Sequence, residues 1–250
     1  MAGYSIDPQD HLQRAVDLAG AGEVEHFLYA ALELRLATEA RHADYSRAWD
    51  HIPKKVKKDY SVTNVGRALD RAFKTGDQVV QITWHFEGET PISIVYTPVS
   101  HTLREIVETL GGYLHAPCWR RAYNRDTDAD AWLDKLRTSV LTGIAHLNLA
   151  LSGQLLGPAL QRDEQGRRQV ILRLAVREGD PAMQMRHPEQ VGRVGAMHVG
   201  YHPVDRCVAH RIELAHRDLQ ALREPLPFAE PESVTGSGDE LAATAPQLQG

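Results

Sequence analysis

Residues 23–45, EVEHFLYAALELRLATEARHADY, form the longest uninterrupted helical pattern in the chain and decide what can pack around it. The stretch holds no Gly or Pro and is rich in Ala, Leu and Glu, the strong helix formers. Gly20 and Gly22 precede it, and Pro53 stops anything beyond Trp49. On a helical wheel at about 100° per residue, His26, Glu33, Ala37, Arg41 and Asp44 share one side, which reads as solvent. Phe27, Leu28, Ala31, Leu32, Leu34, Leu36 and Ala43 spread over a broad apolar arc. Arg35, Glu39 and His42 fall inside that arc, so three ionisable residues point where a core is expected.

Such residues have two readings. An ionised side chain in an apolar face must be paired, because its desolvation costs several kcal/mol otherwise. Arg35 and Glu39 stand at i, i+4 and can pair, which makes a structural ion pair with His42 as a core histidine. Buried charge at a helix interface is also how active clefts perturb pKa values, which makes the trio a candidate site.

Neighbouring patterns supply the rest of a mainly α fold. Asp7 and Pro8 read as N-cap and first residue of a helix running to about residue 18, with Leu12, Ala15, Val16 and Ala19 buried. A third helix is predicted over 62–73 from Val65, Leu69 and Phe73. The period then changes to two. Val80, Ile82, Trp84 and Phe86, then Ile92, Ile94 and Tyr96, alternate with other residues and predict a β-hairpin at about 78–97. Helices follow over 102–115 and from 131 to about 151, the first with Gly111 and Gly112 marking close packing. A second hairpin is expected around DEQG, with residues 170–176 as its strong strand. Residues 180–202 show no clear period, and 206–214 read as a last strand. The expected organisation is a helical bundle over 1–152 with an inserted β-hairpin, a small α+β segment over 153–222, and a disordered tail over 223–250.

Composition narrows the function classes. The chain has 250 residues, 42% hydrophobic and 24% charged, with a net charge of −5. No global field therefore draws it to nucleic acid or an acidic membrane, and any such contact is local. No apolar run reaches the ~18 residues that a membrane span needs. The start, MAGYSIDPQD, lacks the pattern of a signal peptide, and two cysteines cannot build a disulfide framework. A cytoplasmic protein with free thiols is expected.

The run LYAALELRLATEARH, with the later words PKKVKK, YTPVS and LGGYLH, resembles uncharacterised bacterial members of the HEPN (higher eukaryotes and prokaryotes nucleotide-binding) superfamily over about residues 7–150. The resemblance implies a helical bundle that dimerises. It also implies RNA as the partner, in defence or toxin systems, for a metal-independent ribonuclease or a nuclease-derived binder. Nuclease members use an Arg, four to six residues, then a His, and Arg35 and His42 fit that spacing. In that reading His42 is the general base on a ribose 2′-hydroxyl, Arg35 stabilises the charged transition state, and Glu39 orients one of them. Arg35 and His42 stand about 10 Å apart along the helix, so the site needs side chains converging on a groove, or a second subunit. The alternative is a non-catalytic helical interaction scaffold whose buried charges are structural.

Lys54, Lys55, Lys57 and Lys58 form a local positive spot, either a solvated loop or a contact for RNA phosphates. His198, His202, Cys207 and His210 are ligand types for zinc, but the paired Cys-x2-Cys and an acidic water activator are absent. Neither metal nor other cofactor is expected.

Overall fold

The computed structural model describes residues 5–48, 52–86, 90–115, 129–154, 156–162, 168–174 and 194–228. It is mainly helical, with a small three-stranded antiparallel sheet. Helix α1 (Pro8–Ala21) starts at Asp7, whose side chain accepts a hydrogen bond from Gln9 N at 2.9 Å. It ends at Gly22, where φ of +84° suits a residue without Cβ. Helix α2 (Val24–Ala48) follows after two residues and packs antiparallel on α1. The short α3 (Lys54–Lys57) leads to α4 (Val62–Phe73), capped by Ser61. Strands β1 (Gln78–Phe86) and β2 (Ile92–Tyr96) form the expected hairpin, in the register Val80↔Tyr96 to Trp84↔Ile92. Helix α5 (His101–Tyr113), capped by Ser100, and α6 (Ala129–Ser152) complete the bundle around α2.

Strands β3 (Leu156–Arg162) and β4 (Arg168–Leu174) pair antiparallel as the second hairpin, and its turn lies outside the described residues. Two later elements differ from expectation. Within the stretch that shows no period, β5 (Val194–Pro203) pairs antiparallel with β1, giving the order β2-β1-β5. Residues 206–214 are helical, within α7 (Val204–Arg217). Its buried side holds Val204, Cys207, Val208, Arg211, Leu214 and Ala215. That is a 3–4 spacing, obscured because an arginine occupies the middle of the apolar stripe. A 3-10 turn (Leu219–Leu222) follows. Of the elements after residue 153, β5 thus completes the three-stranded sheet, α7 and the 3-10 turn lean on α6, and β3–β4 form a separate two-stranded sheet. Of the expected tail, residues 223–228 lie on the body, where Leu226 and Phe228 pack on the core. Residues 229–250 lie outside the described residues.

The core has two parts. One joins α1, α2, α5, α6 and α7 through Leu12, Leu34, Leu103, Leu110, Ile144 and Leu147, among others. The other lies between the sheet and the α2–α4 pair. There Tyr45, Phe73 and Tyr96 meet edge to face at centroid distances of 5.7–6.0 Å, the favoured geometry for ring quadrupoles.

The phase of α2 differs from the wheel. Glu33, Ala37 and Arg41, expected in solvent, are buried, whereas Leu32, expected inside, is 40% exposed and Tyr29 58% exposed. The reason is that the polar residues on the inner side have partners from elsewhere. His11 Nδ1 and Arg14 Nε lie 2.5 and 3.1 Å from Glu33 Oε2. Arg41 Nη2 donates to Gly153 O at 2.7 Å and to Tyr45 Oη at 3.1 Å. The small Ala30 and Ala37 let neighbouring helices approach. Leu32→Asp is therefore expected to fold, with a melting temperature within a few degrees of wild type, since it places a carboxylate where water reaches. A drop of tens of degrees in a thermal melt would refute this orientation.

Gly153 is where α6 meets the sheet. A Cβ there would stand 2.5 Å from Thr97 Oγ1 and 2.7 Å from Val95 O, closer than atoms tolerate. Its N–H donates to Thr97 Oγ1 and its carbonyl accepts from Arg41, so the backbone cannot retreat freely.

Candidate functional site

The C-terminal half of α2, the α3–α4 connection and the first turn of α4 enclose a recess of about 30 Å³, room for one or two waters. Glu39, His42, Ser46, Lys57, Asp59 and Ser61 are among its walls. Two of the three candidate catalytic residues and one of the four lysines thus share one recess. The Asp59 carboxylate shapes the rim by accepting from Ser61 N at 2.8 Å and Asn64 Nδ2 at 3.2 Å.

Arg35 does not line it. Its Nε donates to Glu39 Oε1 at 2.9 Å, the i, i+4 pair that the sequence allows, with side chains 34% and 27% exposed. The guanidinium is turned to α5, where a Cβ on Gly111 would stand 3.0 Å from Nη1. Lys54, Lys55 and Lys58 are exposed, and Lys57 is half-buried.

His42 is 2% exposed, and its Nδ1 has no hydrogen-bond partner. Burial, assisted by the nearby Arg104 cation, lowers its pKa to about 3. Arg104 belongs to α5 and is itself buried, with Nη1 2.8 Å from Asp70 Oδ2 of α4. An imidazole with that pKa is neutral throughout the physiological range. It is a weak proton acceptor, because general bases work best with a pKa near the operating pH. Chemically, the recess can hold water or a small polar group. It does not bring a guanidinium and a proton acceptor onto one phosphate.

The low pKa has a consequence for stability. The unfolded chain protonates His42 near its ordinary 6.5, the folded chain only near 3, so stability present above 6.5 is lost as pH falls through that window. From pH 7.5 to pH 5 this one residue costs about 2 kcal/mol. His42→Leu is expected to remove that part of the acid sensitivity and to be neutral or stabilising at pH 7, since the ring is unpaired. Urea titrations of both proteins at the two pH values check this, and equal slopes with pH would disprove it.

Sequence reasoning missed the strongest polar clusters, which lie elsewhere. Asn148 and Arg211 are fully or nearly buried, and Arg211 Nε donates to Asn148 Oδ1 at 2.9 Å. Asn148 Nδ2 donates to Leu222 O at 3.3 Å and Glu224 O at 2.7 Å, and Arg211 Nη2 reaches Leu226 O at 3.1 Å. Burial lowers the pKa of Arg211 from its usual value. The signal available was an Asn and an Arg, each in mid-stripe of an apolar helix face.

His198 and His202 sit on β5, Cys207 is buried in α7 with its thiol pKa raised by burial, and His210 is exposed on α7. Among the described residues, no group of three or more His, Cys, Asp or Glu is placed to hold a metal ion. Nor is any described helix long and apolar enough to cross a membrane. Comparison of the chain with models of protein families, with curated proteins and with solved structures finds no match.

Proposed function

We propose that this protein acts by binding rather than by catalysis, as a helical interaction scaffold whose buried charges are structural. The observation that carries this reading is the state of His42. It is enclosed, neutral and without a hydrogen-bond partner, while Arg35 is engaged by Glu39 away from it. A metal-independent ribonuclease needs the two together in one solvent-reachable groove.

A second reading is RNA binding by a nuclease-derived protein of HEPN type. Lys54, Lys55 and Lys58 are exposed, as is Tyr60 at 79%, and Tyr60 lines the recess together with Lys57. Exposed cations with an aromatic face suit single-stranded nucleic acid. The resemblance of the α2 region supports the same partner, and with it a dimer.

The test is incubation of mixed RNA with wild type and with His42→Ala in EDTA, alongside filter binding at low salt. Intact RNA in both samples is the expected result. Cleavage by wild type that is lost in His42→Ala would overturn the non-catalytic reading. Salt-dependent binding, weakened severalfold in the triple variant Lys54→Ala, Lys55→Ala, Lys58→Ala, would select RNA as the partner.

A further inference from the structure

We propose that His85 and His198 form a two-histidine site for a divalent transition-metal ion on the polar face of the sheet. On β1 and β5, Thr83 lies opposite His198, Gln81 opposite Gly200, and Val79 opposite His202. The pleat therefore sends His85, two residues beyond Thr83, to the same face as His198. Both are exposed. Their rings stand 5.0 Å apart, centroid to centroid. With metal–nitrogen bonds of about 2.1 Å, two imidazoles on adjacent coordination positions have centroids roughly 4.6–5.3 Å apart. The backbone thus sets the separation that chelation needs.

The rings now meet edge to face, with planes 86° apart. Turning a nitrogen of each to a shared ion requires rotation about χ2, a broad and soft torsion. Among the described residues neither ring has a hydrogen-bond or ion-pair partner to give up. His202, further along the same face, is occupied otherwise. Its Nε2 folds back over Gly200, 2.9 Å from where a Cβ would stand, and its ring lies 5.6 Å from that of Phe228.

Two neutral imidazoles with open positions left to water suit borderline ions, and Cu²⁺ binds such a set most tightly. Among the described residues no carboxylate orients either ring from behind, so the site is labile and fills from solution rather than surviving purification. Ligation uses the deprotonated nitrogen, so binding weakens in acid.

The experiment titrates the tag-free full chain with Cu²⁺ at pH 7.5, read by calorimetry and by electron paramagnetic resonance. One equivalent is expected to bind ahead of the scattered histidines, with hyperfine structure from two nitrogens. His85→Asn and His198→Asn should each weaken that equivalent tenfold or more and leave one nitrogen. His202→Asn and His210→Asn should change it less than twofold. Saturating Cu²⁺ should raise the melting temperature of wild type and not that of the double variant. The proposal is overturned if either single variant keeps the wild-type affinity, or if His202→Asn costs as much as His198→Asn.

Discussion

Asn148→Ala is expected to lower the unfolding free energy by about 3–5 kcal/mol, among the largest effects of any single substitution in the chain. The side chain is wholly buried and satisfies four groups at once. Its amide nitrogen feeds the carbonyls of Leu222 and Glu224, and its oxygen accepts from Arg211 Nε and Leu226 N. Alanine leaves each of these without its partner beside a buried cation, Leu222 O and Arg211 Nε in the interior and Glu224 O and Leu226 N at its edge. Arg211 keeps Cys207 O and Leu226 O, so the guanidinium is weakened in its seat rather than expelled. Residues 222–228 should loosen first, and limited proteolysis should cut there. A urea midpoint within experimental error of wild type would show that the network contributes little.

Glu33→Ala is expected to cost about 2–4 kcal/mol, and Glu39→Ala less than about 0.5 kcal/mol. Both glutamates lie on α2 and both pair with an arginine, so the contrast is one of environment. The Glu33 carboxylate, 12% exposed, is held by His11 Nδ1 and Arg14 Nε from α1. Its removal takes the carboxylate away from a buried ring and from Arg14 and weakens the hold of α1 on α2. Glu39 meets Arg35 one turn away on its own helix, with both side chains about a third exposed. Solvent screens that pair, and water replaces either partner. Thermal melts of the two variants decide the matter. Equal shifts would mean that burial does not separate the two pairs.

The local parts of the fold were legible. Helices α1, α4 and α5 and the β1–β2 hairpin each carry their period and stop signals within a dozen residues, and nothing distant contradicts them. What was not legible depends on partners far away in sequence. The phase of α2 could not be read because charged and apolar residues are mixed on every side of the helix. Which side turns inward is decided by His11 and Arg14 waiting for Glu33, and by Gly153 O waiting for Arg41. Strand β5 lacks a pattern of its own, since its residues become a strand by pairing with β1. The candidate site divides in the same way. The Arg35–Glu39 pair follows from i, i+4 spacing alone. The seclusion of His42 comes from α4 and from Arg104 on α5, which no reading of α2 contains.

The contact between α1 and the stretch after α7 bears on how the chain is made. Gln9 Nε2 donates to Arg223 O at 3.2 Å across 214 positions, and Arg223 reaches back to Asp17 at 3.2 Å. At roughly 5–20 residues per second, about 10–40 s separate the emergence of these two ends from the ribosome. During that interval α1 can zip onto α2, whereas Asn148 precedes its partner Arg211 by 63 positions, so the flank of α6 destined for α7 stays open for about 3–13 s at the same rate. The nascent chain therefore carries an uncovered apolar seam on α6 until α7 emerges to close it. Such long-range closure slows folding, and it makes this seam the natural place for a chaperone to hold.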